Sequence, residues 1–453
     1  MAHTDRSTLL QDAARRAARY LDALPGRGVA PSAGAVERLA ALERPLPEGP
    51  GDADDVLAEL DDLGSPATMA MAGPRFFGFV IGGALPVSLA ANVLATAWDQ
   101  NSARSDVTPG TARLEQVALR WLVELLGLPA GTAGGFVTGA TVANFTALAA
   151  ARHAVLAREG WDVEERGLFG APPVTVVVGA EAHVSLLKAL SMLGLGRSRV
   201  VTVPVDGQGR MRADALPAPA PPAIVCLQAG NVNTGAFDPA GAIVPRARAA
   251  GAWVHVDGAF GLWARAAPAR AALAAGLEGA DSWATDAHKW LNVPYDSGVA
   301  LVRDEDALRA SMRVTAAYLP QGTLRDPADF TPELSRRARG VEIWTALRAL
   351  GRSGVAELVE RTCRHARRLA EGLAAAGHAV LNEVVLNQAL VSFGEAERTR
   401  RVIAAIQEEG TCWCGGTVWQ GRTAMRISVS SWATTDRDVE RSLEAILRAA
   451  RTR

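Results

Sequence analysis

The spacing of hydrophobic and polar positions predicts a helical segment at the start of the chain. In residues 5–42 the apolar positions repeat at the interval of an amphipathic helix. The stripe consists of Leu9, Leu10, Ala13, Ala17 and Leu21. Such an N-terminal arm has little core of its own, so we expect it to pack against a second subunit.

From Thr111 onward the pattern changes to helical stretches that alternate with short apolar runs rich in β-branched residues. The runs cover residues 174–178, 200–203, 223–227, 253–256 and 298–302. Continuous apolar runs of this length are typical of central strands in a mainly parallel sheet with helices on both faces. We therefore predict an α/β domain with ligands at the carboxyl ends of its strands.

The last third of the chain has a different organisation. A charged, turn-rich stretch at residues 321–332 indicates a mobile loop or domain junction. Helical stretches at 339–351, 358–376 and 436–450, with a strand-like L-V-S-F, predict a smaller α+β domain. The predicted domains are thus an arm and linker at 1–75, a large domain at 76–320, and a loop with a small domain at 321–453.

Residues 76–98 form an apolar segment about as long as a membrane span, which takes roughly 20 residues. However, Gly82, Gly83 and Pro86 would break a helix near its middle and leave backbone groups unpaired in lipid. We predict a buried loop followed by a helix.

Composition narrows the class of protein. A chain of 453 residues, 49% of them hydrophobic, is long enough for two cores, and its net charge of -1 offers no basic face for nucleic acid. The four cysteines lack the spacing of a metal site, and we predict none. The absence of a basic face favours a small-molecule partner. The charged N-terminus lacks the apolar core of a secretory signal, which favours a cytoplasmic enzyme.

Lysine usage points to one candidate nucleophile. The chain contains only Lys188 and Lys289, while the rest of its 47 basic residues are arginine. A guanidinium does not lose its proton and cannot form an imine, so a retained lysine is a candidate for that chemistry. The alternative is a lysine that merely survived a bias towards arginine, and for Lys188 we favour it.

Two motifs give Lys289 a partner. Asp257, in H-V-D-G-A-F-G, follows an apolar run, and Lys289 lies in D-A-H-K-W, with room for one helix and one strand between them. Such a unit brings both side chains to the same edge of the sheet. There, Lys289 can bond to C4′ of pyridoxal 5′-phosphate (PLP) while Asp257 meets the pyridine nitrogen. Taken alone, an Asp at a strand end, such as Asp257, is more often a helix cap or a loop ligand.

Further motifs suit the phosphate and the ring of such a cofactor. A glycine-containing turn leads into an apolar helix, where N–H groups favour a dianion. The turn consists of Thr138, Gly139, Ala140 and Thr141. His288 is a further donor to the phosphate, and His183, at a predicted helix start, can stack on the ring. The alternatives are an ordinary capped helix and a capping or core histidine.

Together with R-R-A-R-G-V-E-I-W at 336–344, these motifs resemble the group II pyridoxal-dependent decarboxylases, from about Gly73 to the C-terminus. The resemblance implies PLP fold type I, with a mainly parallel seven-stranded sheet, and a homodimer whose active site lies at the subunit interface. It also implies that Lys289 forms the internal aldimine, Asp257 pairs with the pyridinium and His183 stacks on the ring. P-R-F-F-G-F resembles a substrate-pocket wall formed by Phe76 and Phe77, with Trp98 nearby.

The chain departs from the family pattern at three places. Pro327 stands where many members carry a loop tyrosine that protonates the carbanion, although Tyr318 lies just upstream. Asn231 and Val232 replace paired threonines that touch the cofactor or the substrate carboxylate, which makes Asn231 a candidate cofactor contact. Gly258 stands where an alanine commonly packs under the ring.

We expect decarboxylation of an L-amino acid, with an aromatic or apolar side chain favoured, to an amine through an external aldimine and a quinonoid. The alternatives are an aldehyde synthase, an aminotransferase or a carbon-carbon lyase on the same scaffold. A non-catalytic binding protein is a more distant alternative. Arg426 could bind a carboxylate or equally form a structural salt bridge.

Overall fold

The computed structural model describes residues 5–314 and 324–452. The chain divides into two compact units. The first comprises Met1–Ile81, Arg368–Leu381 and Leu390–Arg453, and the second comprises Gly82–Arg367 and Asn382–Ala389. These units interleave along the chain, whereas the domains predicted from the sequence are consecutive segments.

The described residues form the following α-helices and β-strands. In chain order the helices are α1 (Arg6–Ala23), α2 (Ala33–Glu37), α3 (Ala53–Ala67), α4 (Pro86–Trp98), α5 (Pro109–Leu125), α6 (Ala140–Ala157), α7 (Val163–Arg166), α8 (Val184–Met192), α9 (Ala240–Ala249), α10 (Glu305–Met312), α11 (Gly340–Ala375), α12 (Ala396–Glu409) and α13 (Asp436–Thr452). The strands are β1 (Ala133–Val137), β2 (Thr175–Gly179), β3 (Val201–Val203), β4 (Ala223–Gln228), β5 (Trp253–Asp257), β6 (Ser282–Asp286), β7 (Gly298–Val302), β8 (Ala379–Val380), β9 (Gln388–Ser392), β10 (Gly415–Trp419) and β11 (Arg422–Ser428).

The second unit is built around a seven-stranded sheet in the order β1-β7-β6-β5-β4-β2-β3. The pairs from β3 through β2, β4 and β5 to β6 are parallel, and only β7 runs antiparallel to its neighbours β6 and β1. Every residue of β1, β5, β6 and β7 is buried. The predicted mainly parallel α/β sheet is therefore confirmed.

Helix α6 lies against the centre of this sheet because its sequence is rich in alanine. Ala143, Ala147, Ala150 and Ala151 are fully buried, and small side chains allow a helix backbone to approach a sheet closely. The helix packs near β5, β6 and β7. Its N-terminus is thereby held close to the ends of those strands.

The first unit contains a four-stranded sheet in the order β10-β11-β9-β8 together with α12 and α13. The predicted N-terminal helical arm is present as α1, capped by the carboxylate of Asp5, and as the shorter α2 and a 3-10 turn at Arg38–Leu42. Arg16 of α1 pairs with Asp61 of α3 at 3.2 Å.

Two further predictions can be compared with the observed elements. The apolar segment at 76–98 becomes helical only at α4, and no helix among the described residues is long and apolar enough to cross a membrane. The helices predicted at 339–351 and 358–376 correspond to α11, whose backbone is non-helical at Gly351, with φ 61° and ψ -177°, so that two helices meet there. Residues 352–357 are helical, so the second helix begins directly after Gly351, earlier than predicted.

Candidate active site

The polar residues of the candidate site lie where two central strands end. Asp257 is the last residue of β5 and Asp286 is the last residue of β6. These strands are parallel neighbours, so both carboxylates reach the same edge of the sheet. In open α/β sheets this edge is where ligands bind.

Lys289 is held by an acidic residue that the sequence analysis did not single out. Its Nζ atom lies 2.9 Å from Oδ2 of Asp286, whose carboxylate is almost completely buried. The other oxygen, Oδ1, accepts a hydrogen bond of 2.6 Å from the backbone N–H of Ala140, the first residue of α6. One carboxylate therefore joins the lysine to the N-terminus of the central helix.

Asp257 is buried close to positive charge. Burial raises the pKa of its carboxyl group, while the nearby His183 and Lys289 side chains act in the opposite direction. Asn144 donates to Oδ2 at 3.2 Å, and the backbone N–H of Ala259 donates to Oδ1 at 3.3 Å. The structure thus brings three sequence-predicted residues, Lys289, Asp257 and His183, within electrostatic range of one another.

His183 caps the start of α8, immediately beyond β2. Its Nδ1 accepts from the backbone N–H of Ser185 at 3.3 Å and lies 2.7 Å from the Ser185 hydroxyl. The imidazole lines the same small cleft as Asp257 and Glu181. His183 can cap the helix and also face the cleft, because capping uses only one of its two ring nitrogens.

Close backbone packing surrounds the glycine turn before α6. A Cβ atom at Gly139 would lie 3.1 Å from Cε1 of His288 and 3.4 Å from Oδ1 of Asp286. A Cβ atom at Gly298 would lie 2.4 Å from the Cα of Gly139. Glycine at these positions keeps the start of the helix open to a bulky anion. Thr138 and Thr141, which flank the turn, are both partly exposed.

His288 is oriented by its own loop. Its Nδ1 accepts from the backbone N–H of Ser297 at 3.1 Å, so in the neutral ring the proton is on Nε2. Burial lowers the pKa of His288, which favours this neutral form. The ring stacks on Tyr295 with 4.2 Å between centroids. His288 therefore presents an Nε2–H donor on the side of Gly139 and Asp286.

The family model described as the pyridoxal-dependent decarboxylase conserved domain matches residues 37–394. The chain belongs to the pyridoxal-dependent decarboxylase family. This match covers most of the chain, and it confirms the predicted enzyme family and its cofactor, PLP.

Individual relatives differ in what they act on. The chain is 32% identical over 312 residues to the acidic amino acid decarboxylase of Mus musculus, covering 66% of this chain and 56% of that protein. It is 32% identical over 433 residues to the L-2,4-diaminobutyrate decarboxylase of Rhizobium meliloti, covering 90% and 84% respectively. The chain thus spans little more than half the length of the mouse relative.

The fold is also that of solved decarboxylase structures. The crystal structure of Oryza sativa TDC with PLP and tryptamine superposes with a TM-score of 0.91. The two share 22% sequence identity, and the match covers 100% of this chain and 99% of that chain. The predicted fold class is therefore confirmed.

The described residues fit the cofactor of this family. They combine a lysine side chain, a buried carboxyl group and a glycine turn that a Cβ atom would crowd, all at one sheet edge. These are the groups required by an aldehyde, a pyridine nitrogen and a phosphate.

Asn231 is engaged within its own loop. Its Oδ1 accepts from the backbone N–H groups of Asn233 and Thr234, at 2.8 and 3.2 Å. Its amide donates to Oε2 of Glu181 at 3.0 Å. Asn231 therefore contacts the candidate cleft through Glu181, whose carboxylate lines it.

The three predicted substrate contacts lie in different surroundings. Phe76 and Phe77 are 2% and 1% exposed within the first unit, where Phe76 stacks on Trp413 with 5.1 Å between centroids. The neighbouring Phe79 also stacks on Trp413 but is 60% exposed. Trp98 ends α4 in the second unit and is 46% exposed. Phe79 and Trp98 thus offer free ring surface, and Phe76 and Phe77 offer almost none.

The region of the expected loop tyrosine is only partly described. Pro327 begins a 3-10 turn at Pro327–Phe330 and is buried, and the carboxylate of the preceding Asp326 accepts from Ser105. Tyr318 lies outside the described residues. Arg426 is on β11 of the first unit, where burial lowers the pKa of its guanidinium.

Sequence reasoning missed three residues of the site, namely Asp286, Asn144 and His255. For two of them, the spacing along the sequence gives an indication. Asp286 precedes Lys289 by three residues and is the last residue of the D-S-W-A-T-D segment before it. His255 precedes Asp257 by two positions in a strand, which places these two side chains on one face. Asn144 lies among alanines in α6, and its partners become evident only from the packing.

Proposed function

We propose that this protein is a PLP-dependent decarboxylase that converts an L-amino acid into an amine and carbon dioxide. The observation that carries the proposal is the placement of Lys289 beside Asp286 at the same sheet edge as the buried Asp257. Membership of the pyridoxal-dependent decarboxylase family supports the same reaction type.

Each part of the cofactor has a proposed holder. Lys289 would hold its aldehyde carbon through Nζ, and Asp257 would accept a hydrogen bond from its ring nitrogen. The phosphate would lie at the N-terminus of α6, against the turn formed by Thr138, Gly139, Ala140 and Thr141. His288 would donate to it through Nε2–H, and His183 would lie against the ring. Bound PLP supplies an electron-withdrawing ring that accepts the electron pair left at Cα when the carboxylate departs.

The protein must then deliver a proton to Cα. Pro327, which is buried in its 3-10 turn, has no side-chain proton to donate. Among the described residues, the Nζ of Lys289 is the candidate donor, because Asp286 holds it at 2.9 Å at the site itself. The decarboxylation needs no oxidant, because carbon dioxide leaves Cα and one proton takes its place.

We further propose a substrate with an aromatic or apolar side chain. The half-exposed ring of Trp98, in the same unit as Lys289, supports this choice, because aromatic side chains gain from burying their faces against other rings. The relatives act on acidic and diamino acids as well, so substrate identity needs a direct assay.

A second candidate outcome is aldehyde formation, transamination or carbon-carbon cleavage with the same cofactor. The buried Pro327 favours it, because a site without a phenol at that position protonates Cα by another route or diverts the carbanion. Oxidative deamination would additionally consume molecular oxygen and release ammonia and peroxide.

We also propose a homodimer. Val93, Leu94 and Trp98 on α4 are all about half exposed, and a second copy of the chain would cover such a surface. Measurement of the mass in solution tests this proposal, and a monomer at micromolar concentration would contradict it. The cytoplasmic location stays a prediction.

The reaction is tested by incubating the PLP-loaded protein with pooled L-amino acids and identifying the products by mass spectrometry. Amine without aldehyde, ammonia or peroxide supports decarboxylation and rejects the second candidate. Aldehyde with peroxide, or a keto acid, would overturn the proposal in favour of the corresponding alternative. Resolving the pool into single amino acids then identifies the substrate class.

A further inference from the structure

Strand β5 carries an unusual polar face for a strand at the centre of a parallel sheet. Trp253, His255 and Asp257 alternate along it and therefore point to one side, while Val254 and Val256 point to the other. His255 is completely buried. A buried imidazole requires hydrogen-bond partners, because an unpaired polar group in this position is costly.

Those partners form a continuous chain that ends at Asp257. We call the connected side chains the buried relay: Trp253, Ser282, His255 and Asn144. Ser282 lies opposite His255 in the register of β5 and β6. Its Oγ is 2.9 Å from Nε1 of Trp253 and 2.9 Å from Nδ1 of His255. On the other side, Nε2 of His255 is 2.9 Å from Oδ1 of Asn144.

The hydrogen bonds of the buried relay run in one direction. The indole N–H of Trp253 can only donate, so it donates to Ser282. Burial lowers the pKa of His255 to about 3, which leaves one proton on its ring at neutral pH. Because the amide oxygen of Asn144 can only accept, that proton is on Nε2, and Nδ1 accepts from the Ser282 hydroxyl.

This direction determines which group of Asn144 faces Asp257. With its oxygen turned to His255, Asn144 presents its amide N–H to Oδ2 of Asp257 at 3.2 Å. The backbone N–H of Ala259 faces Oδ1. Both carboxylate oxygens therefore receive a donor from the protein, and a proton on Oδ2 would meet the Asn144 N–H. The arrangement stabilises the carboxylate against the cost of its burial.

We infer that the buried relay positions Asp257 and holds it as a hydrogen-bond acceptor for the ring nitrogen of the cofactor. The inference rests on the proposed function, in which Asp257 meets that nitrogen. Members of the buried relay are positioning residues, since they act through Asp257.

The test compares affinities for PLP and for a PLP analogue that has carbon in place of the ring nitrogen. Cofactor-free protein is titrated with each compound. The dissociation constant of the analogue divided by that of PLP is the ratio that reports the contact between Asp257 and the nitrogen, and a larger ratio means a stronger preference for PLP. His255→Leu cuts the relay, and we expect it to lower the preference for PLP about tenfold, as loss of a charge-assisted hydrogen bond would. We expect the PLP preference to recover in His255→Gln, because a glutamine amide supplies an N–H for Asn144 and an oxygen for Ser282.

Matched variants separate this effect from damage to the fold. Val254→Ala removes buried volume from the opposite face of β5 and should leave the ratio unchanged. If His255→Leu fails to fold, Ser282→Ala cuts the relay one step further away and should shift the ratio in the same direction.

Asp257→Asn is the reference for the proposed function. A reduced ratio in Asp257→Asn with unchanged ratios in the His255 and Ser282 variants would overturn the relay while leaving the proposed function in place. An unchanged ratio in Asp257→Asn would overturn the assigned role of Asp257 and the relay together. Equal loss of affinity for both compounds in His255→Leu would show a structural effect alone and would also overturn the inference.

Discussion

The Nζ atom of Lys289 lies 2.9 Å from Oδ2 of Asp286, and the other oxygen of that carboxylate accepts the first backbone N–H of α6. Asp286 thus connects the proposed cofactor lysine to the helix end proposed for the phosphate. It ends β6, and Lys289 follows three residues later, so the strand end fixes the position of both groups.

Replacement of Asp286 separates its two contacts. Asp286→Asn keeps an oxygen for the Ala140 N–H but loses the charge beside Lys289, whereas Asp286→Ala loses both. We expect decarboxylation to fall in both variants, and the free energy of unfolding to drop by about 1–3 kcal/mol more in the alanine variant. Urea unfolding and amine formation check the two effects. Equal stabilities of the two variants would contradict a structural role for the Ala140 contact.

Gly139→Ala should weaken phosphate binding. Its Cβ atom would lie 3.1 Å from Cε1 of His288, at the start of α6. We expect PLP affinity to fall about tenfold, equivalent to ~1.4 kcal/mol, with a smaller change for pyridoxal, which lacks the phosphate. Equilibrium titration with both compounds measures this difference. Gly110→Ala, where a Cβ atom meets nothing within 4 Å, is the matched control. Equal losses for PLP and pyridoxal would contradict a phosphate site here.

The buried ion pair between Arg336 and Glu115 should contribute strongly to the unfolding free energy of the protein. Nη1 of Arg336 lies 2.8 Å from Oε2 of Glu115, and both side chains are almost completely buried. Arg336→Met would leave the buried carboxylate with the more distant Arg325, at 3.6 Å, as its ion-pair partner, at an expected cost of about 3–5 kcal/mol in unfolding free energy. Arg352→Met, which removes an exposed pair with Glu124 at 3.2 Å, should cost less than about 1 kcal/mol. Similar costs in chemical denaturation would contradict the prediction.

Asp238 should make stability depend on pH. Burial raises the pKa of its carboxyl group from an ordinary value of 3.8 to about 6. Because the folded pKa is the higher one, the folded state binds more protons, and this contribution to stability is lost as pH rises from about 4 to 6. The stability of Asp238→Asn relative to the native chain should therefore improve by up to about 3 kcal/mol over that range. A difference that does not change with pH would refute this.

Sequence reasoning predicted the elements that depend on local patterns. The buried strands, Lys289 and Asp257 were accessible because apolar runs define strands and a polar residue at a strand end faces the ligand edge. Asn144 was not identified because its partners, Asp257 and His255, are distant in the chain, and periodicity does not show which residues lie opposite a helix face. Asp286 lies only three residues before Lys289, but its second contact, with the N–H of Ala140, becomes evident only from the fold. The helix end predicted at Gly351 agrees with the non-helical backbone at that residue, whereas the start of the next helix lies earlier than the predicted Leu358.

The most direct test of the central claim follows labelled carbon dioxide from L-amino acids that carry carbon-13 in the α-carboxylate. The PLP-loaded protein should release labelled carbon dioxide with an equal amount of amine, and Lys289→Ala should abolish both. Lys188→Ala provides a matched control, since it removes the other lysine of the chain, which is exposed on α8, and should retain activity. Release that persists undiminished in Lys289→Ala would contradict the account.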